Sequence, residues 1–104
     1  MKLILSIEAK LEIKATIQFI NNEYGKKSTQ KFKNNVSQTL RTIVQNPNVA
    51  KEEELLKNRK HKYRSMVIGH INKLIYYVEG NCVVIVDLWD CRRAPGNLAN
   101  RIKN

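Results

Sequence analysis

The chain is short of the residues that usually narrow a reading early. Cys82 and Cys91 are its only cysteines, too few for a disulfide framework and spaced unlike any zinc-ligand pattern. Cys82 lies in an apolar run and reads as a small buried hydrophobe, and no histidine is placed to make a nucleophile of Cys91. No apolar stretch approaches the roughly 18–20 residues needed to span a bilayer. The opening run from Met1 to Ile7 is shorter than the apolar region of a signal peptide, and no small-residue cleavage site follows it. A soluble cytoplasmic protein without a membrane partner is therefore expected. Internal repeats, linkers and low-complexity segments are missing too. With 104 residues, 42% of them hydrophobic, one domain over residues 1–104 is the expectation. Neither a metal nor a cofactor is expected.

Carboxylates are the other shortage. Nine Asp and Glu face nineteen Lys and Arg, a net charge of +10. Residues 1–56 hold nine basic against six acidic side chains, whereas residues 57–104 hold ten against three. The later half therefore carries +7 of the total. Lys57, Arg59, Lys60, Lys62 and Arg64 crowd one segment with His61, and Arg92-Arg93 closes the last apolar run. Such a distribution attracts polyanions or acidic proteins through counterion release and steering. Lys57, Arg59, Lys60, His61 and Lys62 are the candidate contacts to nucleic acid or to a target protein. Trp89, the single tryptophan, joins them as a stacking platform or an interface anchor.

Periodicity divides the chain into elements. Leu3, Leu5 and Ile7 alternate as in a short strand. Ile13, Ile17, Ile20 and Tyr24 then form one helical stripe, which Gly25 stops. Ser28 is placed to cap a second helix with the stripe Phe32, Val36, Leu40 and Ile43, and Asn46-Pro47 ends it. So short a turn predicts an antiparallel helical hairpin. Lys51 to Leu56 suggests one helical turn. Strands are predicted over Tyr63–Ile68, Lys73–Val78 and Val83–Trp89, with a tight hairpin at Glu79-Gly80-Asn81. Pro95-Gly96 is expected to break any continuation. The fold class is α+β: a small antiparallel sheet in the order β-α-α-β-β-β, covered on one face by the hairpin.

This order resembles the RelE/ParE superfamily of toxins. The likeness is carried by Tyr63-Arg64-Ser65-Met66-Val67, by Lys73-Leu74-Ile75-Tyr76-Tyr77 and by the run from Val84 to Arg93. The helix end from Ile20 to Gly25 and the Asn46-Pro47 stop agree with it. The resemblance implies a toxin of a type II toxin–antitoxin operon, a plasmid-stabilisation or growth-inhibition module, neutralised by a cognate antitoxin in a hetero-oligomer. The superfamily divides by target. RelE-like members cleave ribosome-bound mRNA, and ParE-like members poison DNA gyrase without nuclease chemistry.

Metal-free RNA cleavage needs a base for the ribose 2′-hydroxyl, cations for the phosphorane charge and an acid for the leaving oxygen. By the resemblance, the cationic positions fall on Arg64, Lys73 and Arg92 or Arg93, the catalytic candidates if the chain is a nuclease. The alternate position after Arg64 is Met66, which carries no charge. The C-terminal Tyr or His position falls near Leu98, and no aromatic or histidine follows Trp89. His61, Tyr63 and a carboxylate from Glu52, Glu53 or Glu54 are the substitutes available. Asp87 and Asp90 flank the last strand, where they are expected to pair with Arg92-Arg93. The missing proton-transfer groups favour the gyrase-directed reading, with mRNA cleavage as the alternative.

Overall fold

The computed structural model describes residues 1–102. Strand β1 (Lys2–Leu5) leads into α1 (Ile7–Tyr24) and α2 (Lys26–Gln45). There follow a two-residue β2 (Lys51–Glu52), a 3₁₀ turn (Glu54–Leu56), β3 (Arg64–Ile68), β4 (Asn72–Glu79), β5 (Cys82–Asp90) and α3 (Pro95–Arg101). The sheet runs β1-β5-β4-β3-β2. Strands β3 to β5 pair antiparallel as expected and the unexpected β2 adds to β3 in the same sense, but β1 joins β5 in parallel, so the sheet is mixed.

Local chemistry explains most boundaries. The Ser6 hydroxyl accepts from the Ala9 N–H at 3.0 Å, a helix N-cap, and donates to the Val86 carbonyl at 3.0 Å. One side chain thereby starts α1 and ties it to the sheet, which ends the strand before Ile7. Gly25, at φ 88°, separates the helices and is itself the N-cap of α2, in place of the expected Ser28. Gly80, at φ 57°, takes the left-handed conformation that the first position of a two-residue hairpin requires. The Lys51–Leu56 segment does not form one helical turn. Its first two residues pair with β3 and its end forms the 3₁₀ turn.

The α2 stripe lies where the sequence placed it. Phe32, Val36 and Ile43 are buried, and they meet Ala9 of α1 and the sheet residues Ile68, Leu74, Tyr76, Val83, Ile85 and Leu88. Ile13, Ile17 and Ile20 lie half-buried against this core, but Tyr24, counted in the same stripe, is 69% exposed. The Tyr76 hydroxyl donates to the Pro47 carbonyl at 2.7 Å, which anchors the chain leaving α2.

The opposite face of the sheet is covered as well, by a helix that was not expected. Pro95 opens α3 instead of ending the structure, since proline suits the first helical turn, where its missing N–H is not needed. Leu98 of α3 is fully buried in a second cluster with Leu56, Tyr63, Ile75 and Trp89. Trp89 reaches this side because β5 carries a bulge. Ile75 pairs with Asp87 and Tyr76 with Ile85, leaving Val86 as an extra residue. Beyond it, Leu88 points into the hairpin core, and Trp89 packs beneath α3, where it is buried instead of presenting the exposed stacking platform expected of it.

Candidate functional site

The basic segment 57–64 divides according to what each side chain meets. Arg59 is a structural group: its Nε and Nη2 donate to the carbonyls of Ile102 (3.2 Å) and Ala99 (2.7 Å) at the end of α3. Lys57 pairs on the surface with Glu54 at 3.1 Å. His61 stacks on Tyr77 at 3.8 Å between ring centroids, with Tyr63 edge-on to both. Burial pushes the Tyr63 hydroxyl above its ordinary pKa. Lys60 and Lys62 are exposed and, among the described residues, make no ion pair. Two lysines of this segment therefore present charge that nothing in the fold has engaged.

The sheet cations do not converge on one point. Arg64 shares a sheet face with Met66 and Ile68, on the hairpin side, and donates from Nη1 to the Ala50 carbonyl at 2.6 Å. Lys73 lies on the other face, opposite Trp89, in an ion pair with the buried Glu53. Burial opposes the charge on Glu53, yet the Lys73 ammonium and the Leu55 N–H outweigh it and hold the carboxyl below its usual range. Arg92 closes a two-pronged contact on Asp90 at 2.7 and 3.0 Å, and the guanidinium brings the Asp90 carboxyl down to about 2. Arg93 stands apart. Its guanidinium lies over Trp89, 5.1 Å from the ring centroid, and its carboxylate partner among the described residues is Glu12 at 4.0 Å.

Asp87 does not pair with Arg92 or Arg93. It is almost fully buried beside Arg101, whose Nε lies 2.7 Å from Oδ2 and whose Nη2 donates to Oδ1 at 3.1 Å. Arg101 also reaches Glu12 of α1 at 2.9 Å. Burial pushes the Asp87 carboxyl up to about 6, because desolvation outweighs the pull of Arg101. Among the described residues no group of three His, Cys, Asp or Glu gathers that could hold a metal. No helix of the described residues is long and apolar enough to cross a membrane.

Two grooves flank α1. One, of about 430 Å³, has a floor of Leu5, Ile13 and Ile17 and a rim of Lys10, Lys14 and Lys33 with Gln18. The other, of about 320 Å³, runs between α1 and the open end of the sheet, lined by Glu12, Ala15, Phe19, Tyr24, Ile71 and Arg93 among others. A shallow site of about 490 Å³ adjoins it at Arg93 and is floored by Trp89, Asn97, Asn100 and Arg101. Phe19, Ile71, Asn97, Asn100 and Arg101 carried no sequence signal of their own. Phe19 reads as one more helix residue, and α3 was hidden behind Pro95.

No protein-family model and no curated protein matches the chain in sequence. Solved structures do match it in shape. The chromosomal ParDE toxin–antitoxin system of P. aeruginosa superposes with a TM-score of 0.70 at 13% identity, over 86% of this chain and 95% of that one. A YoeB/ParE toxin from Agrobacterium tumefaciens gives 0.60 at 17% identity, over 86% and 98%. The YoeB dimer from Staphylococcus aureus gives 0.57 at 21%, over 84% and 92%. Identities this low speak for architecture alone, and by its architecture the chain has the RelE/ParE-type toxin fold.

Proposed function

We propose that this chain is the toxin of a type II toxin–antitoxin pair and that it inhibits growth by protein contact, with DNA gyrase as the target, instead of by cutting mRNA. The fold supports the first part. The second rests on one observation: the sheet face away from the hairpin is closed by the chain's own side chains. Leu56, Tyr63, Ile75, Trp89 and Leu98 fill it, and Glu53 neutralises the Lys73 that would bind phosphate there. Arg64 is turned to the other face, and His61 is stacked on Tyr77. A phosphodiester needs a base, an acid and free cations around one point, and this arrangement offers a packed surface. The cations left for contact lie at the rim, which suits docking a protein.

The antitoxin has a suitable seat in the groove floored by Leu5, Ile13 and Ile17. Its apolar floor and all-lysine charged rim fit an amphipathic acidic helix. Pulse-labelling of DNA and protein synthesis immediately after inducing the chain alone in a bacterial host tests the reading. DNA synthesis should fall first while translation continues. Translation failing first, with cleaved mRNA, would overturn it in favour of the RelE-like alternative.

A further inference from the structure

We infer that the target is held on the flank of α1 away from the lysine-rimmed groove, by a two-part surface joined at Arg93. It takes a protein segment in which a large apolar side chain stands next to a carboxylate. The inference rests on the reading of a toxin that works by protein contact.

The part that takes the apolar side chain is the groove of about 320 Å³ between α1 and the open end of the sheet, where Phe19, Tyr24 and Ile71 face a polar edge that includes Glu12 and Asp90. Phe19 and Tyr24 stand 6.5 Å apart in an edge-on pair and are 48% and 69% exposed, with Ile71 across the groove at 38%. These side chains add nothing to either core. Aromatic side chains left outside the core of a small domain and grouped around one concavity have the composition of an interface centre.

The anion-binding part is the adjoining ledge. Arg93 lines both concavities, and Asn97, Asn100 and Arg101 complete the second. Arg93 is positioned without being neutralised. The Trp89 ring fixes its guanidinium from below, while its carboxylate partner among the described residues, Glu12, is 4.0 Å away and already bonded to Arg101 at 2.9 Å. Arg92 next door is different, because Asp90 takes it at two points. The ledge therefore offers a guanidinium with free donors, flanked by two amides able to pair with a peptide backbone. No carboxylate lines it. An acidic side chain is its complement, and the groove beside Arg93 holds the neighbouring apolar anchor.

The two flanks of α1 share no lining residue, so antitoxin and target would occupy different surfaces. Binding of purified host DNA gyrase, measured by biolayer interferometry beside growth arrest on induction, tests this on the full chain. Arg93→Glu and Phe19→Ala should each weaken binding about tenfold or more and relieve growth arrest, with the thermal midpoint unchanged. Lys31→Glu, an exposed charge reversal on α2, should leave both as in wild type. If Phe19→Ala lowers the midpoint, Asn100→Glu on the exposed side of α3 takes its place, with the same loss expected. Wild-type affinity in Arg93→Glu and Asn100→Glu, or an equal loss in Lys31→Glu, overturns the surface. A wild-type chain that arrests translation and does not bind gyrase overturns instead the reading beneath it.

Discussion

The helical hairpin and the short C-terminal helix cover opposite faces of one sheet, and different forces hold them there. Beneath the hairpin the contacts are almost wholly apolar, from Ala9, Phe32, Val36 and Ile43 onto Leu74, Tyr76, Val83, Ile85 and Leu88. Beneath α3 the fully buried anchor is Leu98, and the rest of the attachment is polar. Arg101 bridges Asp87 and Glu12, Arg59 caps the final carbonyls, and Glu53 is paired with Lys73 on the same side. Apolar area stabilises a surface without requiring precise geometry, whereas a buried ion pair is strong only while both partners are in place. One face should therefore fail gradually under substitution and the other at specific points.

The largest effect should come from leaving a buried charge without its partner. Glu53→Gln removes the counter-ion of Lys73 and should cost about 3–5 kcal/mol in urea unfolding. A loss below 1 kcal/mol would mean that the pair is hydrated and that this face resembles the other after all. Next comes Leu98→Ala, at about 2–4 kcal/mol. Its signature is local: amide exchange in α3 should quicken while β4 and β5 keep their protection. Uniform loss of protection would show that the two faces melt as one unit.

The smallest effect is a pH dependence. The Asp87 carboxyl sits at about 6 in the fold, against 3.8 for the reference group. Between those values the native chain binds more protons than the unfolded one, so stability falls as pH rises. The contribution of Asp87 is full below pH about 4 and is lost as pH passes through 6. Wild type should therefore lose about 2–3 kcal/mol relative to Asp87→Asn between pH 4 and pH 7. A constant difference between the two proteins across that range would show that Asp87 stays ionised beside Arg101.

The hairpin side was far more legible in the sequence than the α3 side, and the same contrast explains why. Phe32, Val36, Leu40 and Ile43 recur at helical spacing, and the turn at Glu79-Gly80-Asn81 announces itself by composition. Helix α3 has seven residues and, among its described side chains, one that is fully buried, too few to display a period. The partners of Arg59, Lys73 and Arg101 lie up to 89 residues away, a separation that no local pattern records. Strict alternation along β5 would put Trp89 on the side of Val83 and Ile85, and the bulge breaks that alternation. The cations stand out in the sequence as a group. Which of them the fold would use up internally depended on tertiary contacts.

That bulge also marks where this strand can change length. Asp87, Leu88 and Trp89 already face as they would in an uninterrupted strand from which Val86 had been removed. A shorter relative lacking that residue would keep tryptophan and aspartate beneath α3 and leucine beneath the hairpin, giving up the Ser6 bond to the Val86 carbonyl and the packing of the Val86 side chain on the α3-side cluster. Loss of Leu88 would instead send the tryptophan toward the hairpin unless the irregularity slid along the strand to absorb it. Insertions and deletions in chains of this architecture should accordingly collect at this step of β5 and spare its neighbours.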